Sequence, residues 1–125
     1  IAALHAGWRG LTAGVIGSTV EHLEEFGSRG KIRAVLGPCI HAADYEFGAD
    51  ALGELVDRFG PDVASTTRHG TPGFDLPAAV RKELRRAGIT ELDDVDICTA
   101  SSPDYFSYRR DGPTGLQAML VVRIP

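Results

Sequence analysis

Three short clusters of residues could carry chemistry, and the first follows the opening apolar run. His5 comes directly after residues 1–4 and just before a glycine-rich turn into a predicted helix. Functional groups concentrate at the carboxyl ends of strands in α/β proteins, and an imidazole there can bind a metal or transfer a proton near neutral pH. The alternative is a histidine that is hydrogen-bonded to a backbone carbonyl of the turn.

Arg9 is a second candidate in this cluster, because it stands with Trp8 at the start of the next helix. A guanidinium beside the free backbone N–H groups of a helix start can bind an anion. We therefore consider Arg9 a candidate phosphate contact. Stacking of Arg9 on the Trp8 ring at the surface explains the same two residues equally well.

The second cluster combines a thiol with an imidazole. Cys39 and His41 stand two residues apart after Gly37-Pro38, and in an extended segment they would share one face. Such a pair binds zinc only if other elements supply further ligands, so a buried, inert thiol is the alternative. We expect His22, on the polar side of the first helix, and His69, in a loop, to be solvated.

The third cluster runs from Phe106 to Gly112 and contains two adjacent arginines, Arg109 and Arg110, before Asp111. In a strand, adjacent side chains point to opposite faces, so only one of the two can face the interior. We take Arg110 as a candidate substrate or phosphate contact. An ion pair with an acidic neighbour, which would order the turn, is the alternative.

The elements that position these clusters follow from apolar spacing. Residues 1–5 are predicted to form a short buried strand, and helical spacing predicts a helix over 11–26 that ends at Gly27. Glycines at positions 10, 14 and 17 leave one side of that helix bare, which we attribute to close packing against a sheet. Further strands are predicted over 32–36, 95–99, 105–108 and 118–124, and further helices over 52–59 and 76–87, with an exposed loop over 60–73.

This alternation of strands and helices predicts an α/β (α+β) chain, organised as one domain over residues 1–125. The length fits a single compact domain or part of one. The only methionine is Met119, and the chain opens in the middle of an apolar run. We therefore expect this chain to be an incomplete domain, a piece of something longer.

Composition narrows the class of protein. The chain is 43% apolar and 24% charged, with a net charge of −4, which argues against disorder and against binding to nucleic acid or an anionic membrane. No apolar run approaches the roughly 18 residues of a membrane-spanning helix. Four cations at positions 81, 82, 85 and 86 are expected to form a solvated helix face. Two cysteines, taken as reduced, favour the cytoplasm.

Taken together, the three clusters resemble the YfiH (laccase-domain) family. The resemblance rests on residues 4–10, 36–40 and 106–111, which read LHAGWRG, LGPCI and FSYRRD, and it extends over the whole chain. It implies a layered α/β/β/α fold with mixed sheets and the activities of a purine nucleoside phosphorylase, with adenosine deaminase and methylthioadenosine phosphorylase activity. The older family label is a polyphenol oxidase, or multicopper laccase.

The resemblance also implies a metal site, with zinc as the metal or copper in its place. His5 matches one of three family ligands, whereas the other two, a His and a Cys, belong to upstream motifs without a counterpart in this sequence. Cys39 matches a different motif and is not the missing cysteine. Leu116 follows Thr114-Gly115 where the family usually has arginine, which puts a role for an arginine there in doubt.

The leading hypothesis is therefore an enzyme, the carboxyl-terminal part of a cytoplasmic, metal-dependent phosphorylase that acts on a purine nucleoside and phosphate. An upstream segment of the same protein would be needed to complete its site. A truncated, non-catalytic binding or assembly module is the alternative, and a structural metal on His5, Cys39 and His41 is a third reading. Multicopper chemistry needs many histidines, and four without a His-x-His pair do not fit it.

Overall fold

The computed structural model describes residues 1–27 and 30–122. Helices and short strands alternate along the chain. The helices are α1 (Trp8–Thr12), α2 (Val15–Glu25), α3 (Ala49–Phe59), α4 (Leu76–Arg86) and α5 (Tyr108–Asp111), and the strands are β1 (Arg33–Leu36), β2 (Ala64–Thr66), β3 (Pro72–Phe74) and β4 (Glu91–Asp94). Single 3-10 turns occupy Ala42–Asp44 and Pro61–Val63. No helix within these residues is long and apolar enough to cross a membrane.

The strands form one parallel and one antiparallel pair in the described part of the chain. Strand β1 lies parallel to β4, with Arg33 opposite Glu91, and an isolated parallel bridge between Cys39 and Cys98 continues the pairing. Strands β2 and β3 form an antiparallel hairpin, to which Glu46 is joined by a single bridge. Helices combined with one parallel and one antiparallel sheet confirm the predicted α+β class.

An aromatic cluster forms the centre of the core. Phe59 and Phe74 are almost fully buried, and Tyr45 and Phe47 pack against Phe74 with ring centroids 6.0 and 5.4 Å away. The Phe47–Phe74 contact is edge-to-face, which suits the charge distribution of aromatic rings, and the Tyr45–Phe74 contact is tilted. Helix α4 covers the cluster with apolar residues at helical spacing, which are Leu76, Ala79, Val80 and Leu84. The segments that carry Tyr45, Phe47 and Phe74 are thereby fixed relative to one another.

Helix α4 matches the sequence prediction at both ends. The Asp75 carboxylate accepts a hydrogen bond from the Ala78 N–H at 2.8 Å, which caps the first turn, and Pro77 stands within that turn. Gly88 follows the helix with a φ of +77°, a left-handed conformation that favours glycine. The predicted helix over 52–59 is also confirmed, although α3 begins earlier, at Ala49.

The opening residues differ from the prediction. Residues 1–5 form no strand and are exposed, with Ile1 at 76% of its full accessibility. The predicted helix over 11–26 is divided into α1 and α2, because Gly14 has a φ of +80° and interrupts the helical path. The expected close packing is also absent at Gly14 and Gly17, since a Cβ built on either meets nothing within 4 Å in the described chain.

The later strand predictions are corrected as well. The strand expected over 95–99 lies earlier, at Glu91–Asp94, with only Cys98 bridged beyond it. Residues 105–108 lead into the short helix α5 rather than forming a strand, and the loop over 60–73 contains the β2–β3 hairpin. Residues 118–122 form no strand and are exposed, and the rest of that prediction, 123–124, lies outside the described residues.

Two glycines of the first helical region make a matched pair for a stability test. Gly14→Ala places a side chain in the left-handed region and should destabilise the protein by about 1–2 kcal/mol. Gly17 stands inside α2, so Gly17→Ala should stabilise the protein by roughly 0.5–1 kcal/mol. Urea denaturation measures both changes in the free energy of unfolding. If both substitutions raised or both lowered the free energy of unfolding, the left-handed conformation at Gly14 would be contradicted.

Candidate functional site

The glycines around His5 allow the chain to turn closely past its side chain. A Cβ on Gly7 would lie 2.9 Å from Nε2 of His5, and a Cβ on Gly10 would lie 3.2 Å from the His5 carbonyl oxygen. Larger residues at either position would push against the imidazole or its backbone. His5 itself is exposed just before α1, so its ring is accessible to a ligand.

Arg9 lies on the surface of α1, with its guanidinium 4.6 Å from the centroid of the Trp8 ring. This is the stacked arrangement that the sequence left open as an alternative. Stacking uses the face of the guanidinium and leaves its N–H groups at the edge. The prediction that Arg9 contacts phosphate is compatible with this geometry and stays a prediction.

The first and third clusters of the sequence meet at one aromatic group. Trp8 contacts Phe47 edge-to-face at 5.8 Å, and Phe47 contacts Tyr45 at 4.8 Å. The Arg109 guanidinium lies 4.7 Å from the Tyr45 ring and 5.5 Å from the Phe47 ring. Burial raises the pKa of the Tyr45 phenol, while the positive charges of Arg109 and Arg9 act in the opposite direction. Both arginines therefore lie within electrostatic range of the same hydroxyl.

Arg110 organises the loop that precedes it. Its NH1 group donates to the carbonyls of Thr99 (3.2 Å), Ala100 (3.4 Å) and Ser102 (2.8 Å), and its NH2 group donates to Tyr105 O at 2.9 Å. Nε and NH2 also donate to the Asp111 carboxylate at 2.7 Å. These bonds occupy the donors of the guanidinium fork. The geometry therefore favours the alternative, in which Arg110 orders the turn. The predicted contact of Arg110 with phosphate stays a prediction.

The Arg110–Asp111 pair perturbs both partners. The hydrogen bonds to Arg110, and then its positive charge, lower the pKa of the Asp111 carboxyl. The same bonds raise the pKa of the Arg110 guanidinium. Both shifts favour the charged form of each partner.

The two cysteines lie opposite each other on neighbouring segments. Cys98 accepts a hydrogen bond from the His41 N–H at 3.4 Å and donates to the Asp44 carboxylate at 3.3 Å through Sγ. Burial raises the pKa of the Cys39 thiol to about 12, with smaller contributions from Asp94 and Cys98. The raised pKa of this half-buried thiol favours the inert alternative that the sequence allowed.

No group of three or more His, Cys, Asp or Glu side chains suited to a metal occurs among residues 1–27 and 30–122. The reading in which His5, Cys39 and His41 share a structural metal is therefore wrong. A protein zinc site takes three or four ligands from the protein. The described residues therefore contain no complete zinc site, and a ligand role for the exposed His5 imidazole stays a prediction.

A cleft of about 510 Å³ lies beside the aromatic group and was missed by the sequence analysis. One wall is formed by residues 44–48, which leave the 3-10 turn at Asp44. Asp44, Glu46 and Gly48 line the cleft, while Tyr45 and Phe47 are buried in the core. This alternation is visible in the sequence as Asp-Tyr-Glu-Phe-Gly and could have indicated a half-buried strand. We call this space the Glu46 cleft.

Two further segments complete the Glu46 cleft. Thr67 and His69 come from the turn between β2 and β3, and Ala100, Arg109 and Arg110 come from the loop and helix near residue 100. His69 is exposed, as expected, and also lines this concave site. His22 behaves as expected, since it is exposed and its Nδ1 contacts only the Ser18 carbonyl, at 2.7 Å.

The basic residues of α4 take part in structural contacts. Arg81 pairs with Asp94, Lys82 with Asp62, and Arg86 with Glu83. Lys82 also donates to the Phe59 carbonyl at 2.7 Å. These contacts hold α4 in place, so the expected solvated face is only partly present: Arg85 and Arg86 are exposed, whereas Arg81 and Lys82 are half-buried.

Comparison with known proteins decides the family. Residues 1–124 match the model of the family described as multi-copper polyphenol oxidoreductase laccase. The chain belongs to that family. Among curated relatives, a purine nucleoside phosphorylase of Mycobacterium tuberculosis (strain ATCC 25618 / H37Rv) is 40% identical over 96% of this chain. The purine nucleoside phosphorylase YfiH of Shigella flexneri is 34% identical over 97% of it. The resemblance to YfiH proteins is thereby confirmed.

A solved structure of the family agrees with the fold. The crystal structure of Neisseria meningitidis protein NMB0706 matches 89% of this chain with a TM-score of 0.72 and 33% sequence identity. The match covers 46% of that protein, and the curated relatives above are covered to 48% and 50%. The chain thus spans about half the length of the family members that it matches.

The raised pKa of Cys39 makes a labelling prediction. The thiolate is the reactive form, and a pKa of about 12 leaves the thiol protonated at pH 8. Alkylation of native Cys39 by iodoacetamide at pH 8 should be roughly 1000-fold slower than in urea, where the ordinary pKa returns. It should accelerate as the pH rises towards 12. Peptide mass mapping measures the rate at Cys39, and equal rates in the two solvents would contradict its burial.

Proposed function

We propose that this chain is the carboxyl-terminal part of a metal-dependent purine nucleoside phosphorylase, within one domain that other residues complete. The observation that carries the proposal is the 34–40% identity, over nearly all of the chain, to relatives that bear that name. The substrates would be phosphate and adenosine or inosine. Adenosine deamination and phosphorolysis of methylthioadenosine belong to the same proposal, as does a cytoplasmic location.

The reaction sets clear requirements for the protein. Phosphate attacks C1′ of the ribose while the bond to the purine breaks, and positive charge develops on the sugar in the transition state. The enzyme must position an anion beside C1′ and stabilise the departing base. Arg9, held over the Trp8 ring with the edge of its guanidinium exposed, is suited to hold the phosphate.

His5 is proposed as one ligand of a zinc site, or of a copper site in its place. A bound zinc ion would polarise phosphate or activate water. The contribution of this chain is to present the His5 imidazole at a turn where Gly7 and Gly10 leave room for it. The remaining ligands, a His and a Cys, would come from an upstream segment of the same protein.

The Arg110 contacts support an indirect role in this scheme. A guanidinium that already donates to four carbonyls and a carboxylate is suited to holding the loop of residues 99–105 in place. Direct binding of phosphate by Arg110 would require several of those bonds to break. We therefore assign the anion contact to Arg9 rather than to Arg110.

Phosphate-dependent release of adenine from adenosine tests the proposal. The 125-residue chain is compared with the same chain extended upstream by the amino-terminal half of the M. tuberculosis relative. We expect activity only in the extended protein. In that protein His5→Ala should lower kcat/KM at least 100-fold, the usual scale for losing a metal ligand or its support. His22→Ala is the matched control and should leave the activity unchanged.

Activity in the 125-residue chain itself would contradict a site that depends on upstream ligands. Activity in the extended protein that survives His5→Ala would contradict the assignment of His5.

A zinc titration of the 125-residue chain gives an independent check. Because its described residues offer no group of three ligands, we expect no sub-micromolar zinc site in this chain. Isothermal titration calorimetry measures the affinity, with His5→Ala as the comparison. Tight binding that His5→Ala abolishes would show that the chain completes a metal site alone.

A binding or assembly module is the second candidate function. The observation that favours it is a run of exposed apolar residues near the end of the described chain, with Leu116 at 94%, Leu120 at 87% and Val122 at 79% exposure. Exposed apolar patches mark surfaces that contact other proteins. Absence of phosphorolysis in both proteins, with native circular dichroism, would favour this function.

A further inference from the structure

The Glu46 cleft has rigid walls. The Thr67 side chain is buried, with its hydroxyl 2.6 Å from that of Thr71 and accepting from the His69 N–H at 3.3 Å, which fixes the turn that carries His69. Arg68, in the same turn, pairs with Asp44 at 2.6 Å and joins the turn to the opposite wall. Arg110 holds the third wall through the carbonyls of residues 99–105. A cleft built this way is preformed rather than assembled by its ligand.

Three side chains in the cleft have hydrogen-bonding capacity left over. Within residues 1–27 and 30–122, neither the Glu46 carboxylate nor the His69 imidazole makes a hydrogen bond or ion pair. Arg109 donates once, from NH1 to the Glu46 carbonyl at 2.7 Å. A guanidinium has five N–H groups, so most of those on Arg109 are free to bind a ligand.

The charges of the cleft disfavour phosphate as its occupant. Two carboxylates, Asp44 and Glu46, and two guanidinium groups, Arg109 and Arg110, line it. Asp44 is neutralised by Arg68 and Arg110 by Asp111, which leaves Glu46 and Arg109 as the two charges of the cleft without an ion-pair partner in the described chain. An oxyanion bound to Arg109 would meet the negative charge of Glu46. A neutral ligand that both donates and accepts hydrogen bonds satisfies both groups at once.

The structure assigns to this cleft the binding of a nucleoside ribose, with Glu46 accepting from the sugar hydroxyls and Arg109 donating to the sugar oxygens. A carboxylate accepts from adjacent ribose hydroxyls in the same way at nucleotide sites of other folds. The volume of about 510 Å³ lies within the range of small-molecule sites, roughly 300–1,000 Å³. The identity of the sugar rests on the proposed function, whereas the hydrogen-bonding character of the cleft does not.

Arg109 would act here as a substrate contact that the sequence analysis did not select. Its position is set by stacking over Tyr45 and Phe47 and by its bond to the Glu46 backbone, so it is presented to the cleft without a salt bridge.

Titration of the 125-residue chain with adenosine, followed by isothermal calorimetry, tests the assignment. Glu46→Gln should weaken adenosine binding about 10- to 100-fold, because it removes charge-assisted hydrogen bonds. Arg109→Gln should weaken it as well. The matched controls are Glu54→Gln and Arg58→Gln, since both residues are exposed on α3 and Arg58 also lies over an aromatic ring, that of Phe59. Both controls should bind adenosine like the unchanged chain.

2′,3′-Dideoxyadenosine separates sugar recognition from a general loss of the site. Because it lacks the hydroxyls that Glu46 would bind, its affinity for the unchanged chain should equal the weakened affinity of the Glu46→Gln variant for adenosine. The Glu46→Gln substitution should reduce the affinity for dideoxyadenosine little further. Equal weakening of both ligands by Glu46→Gln would overturn the assignment to the sugar hydroxyls. Absence of adenosine binding at millimolar concentration, or binding of inorganic phosphate that Arg109→Gln abolishes, would overturn it too.

The same variants in the upstream-extended protein distinguish this inference from the proposed function. Suppose that the extended protein has phosphorylase activity and that Glu46→Gln leaves its KM for adenosine unchanged. This result would refute ribose binding in the cleft and leave the proposed function intact. If adenosine binding depends on Glu46 but neither the 125-residue chain nor the extended protein catalyses phosphorolysis, the proposed function would be refuted and ribose binding in the cleft would stand.

Discussion

Aromatic packing around Phe47 is the interaction on which the rest of this structure depends. Phe47 contacts Trp8 of the first cluster, Tyr45 of its own segment and Phe74 of the hairpin. Arg109 of the third cluster stacks on the same rings. Segments that are distant in the sequence therefore meet at one buried group. The polar side chain of Glu46 is placed by this packing, since Glu46 stands between the buried Tyr45 and Phe47 and is bridged to the hairpin at Gly73.

Much of the helical structure could be predicted from the sequence. Helix α4 shows apolar residues at helical spacing, a capping aspartate and a terminal glycine, and these local signals agree with the tertiary packing. The strands were harder, because short apolar runs do not distinguish a paired strand from an exposed segment. Residues 118–122 are apolar yet exposed and unpaired, and residues 91–94, with three acidic residues, form the strand that pairs with β1. Pairing partners, rather than composition, decided both outcomes.

The residues of the candidate site also fall into those that the sequence could indicate and those that it could not. His5 and Arg9 could be found from a local motif, because a glycine-rich turn after an apolar run is informative by itself. Glu46, His69 and Arg109 could not, since each belongs to a different segment and only the hairpin and the aromatic cluster bring them to one cleft. Free hydrogen-bonding capacity is a property of the folded chain. No spacing in the sequence reveals which carboxylate remains without a partner.

The adjacent arginines show how strongly local geometry decides function. In a strand they would point to opposite faces, but in the short helix α5 both line the Glu46 cleft and reach different partners. Arg110 reaches carbonyls and a carboxylate, which uses the edge of its guanidinium, and Arg109 lies over aromatic rings, which uses the face. An edge that is already hydrogen-bonded has nothing left for a ligand, whereas a stacked guanidinium keeps most of its donors. Arginine can serve as structural support and as a substrate contact at neighbouring positions because its two modes of interaction use different parts of the same group.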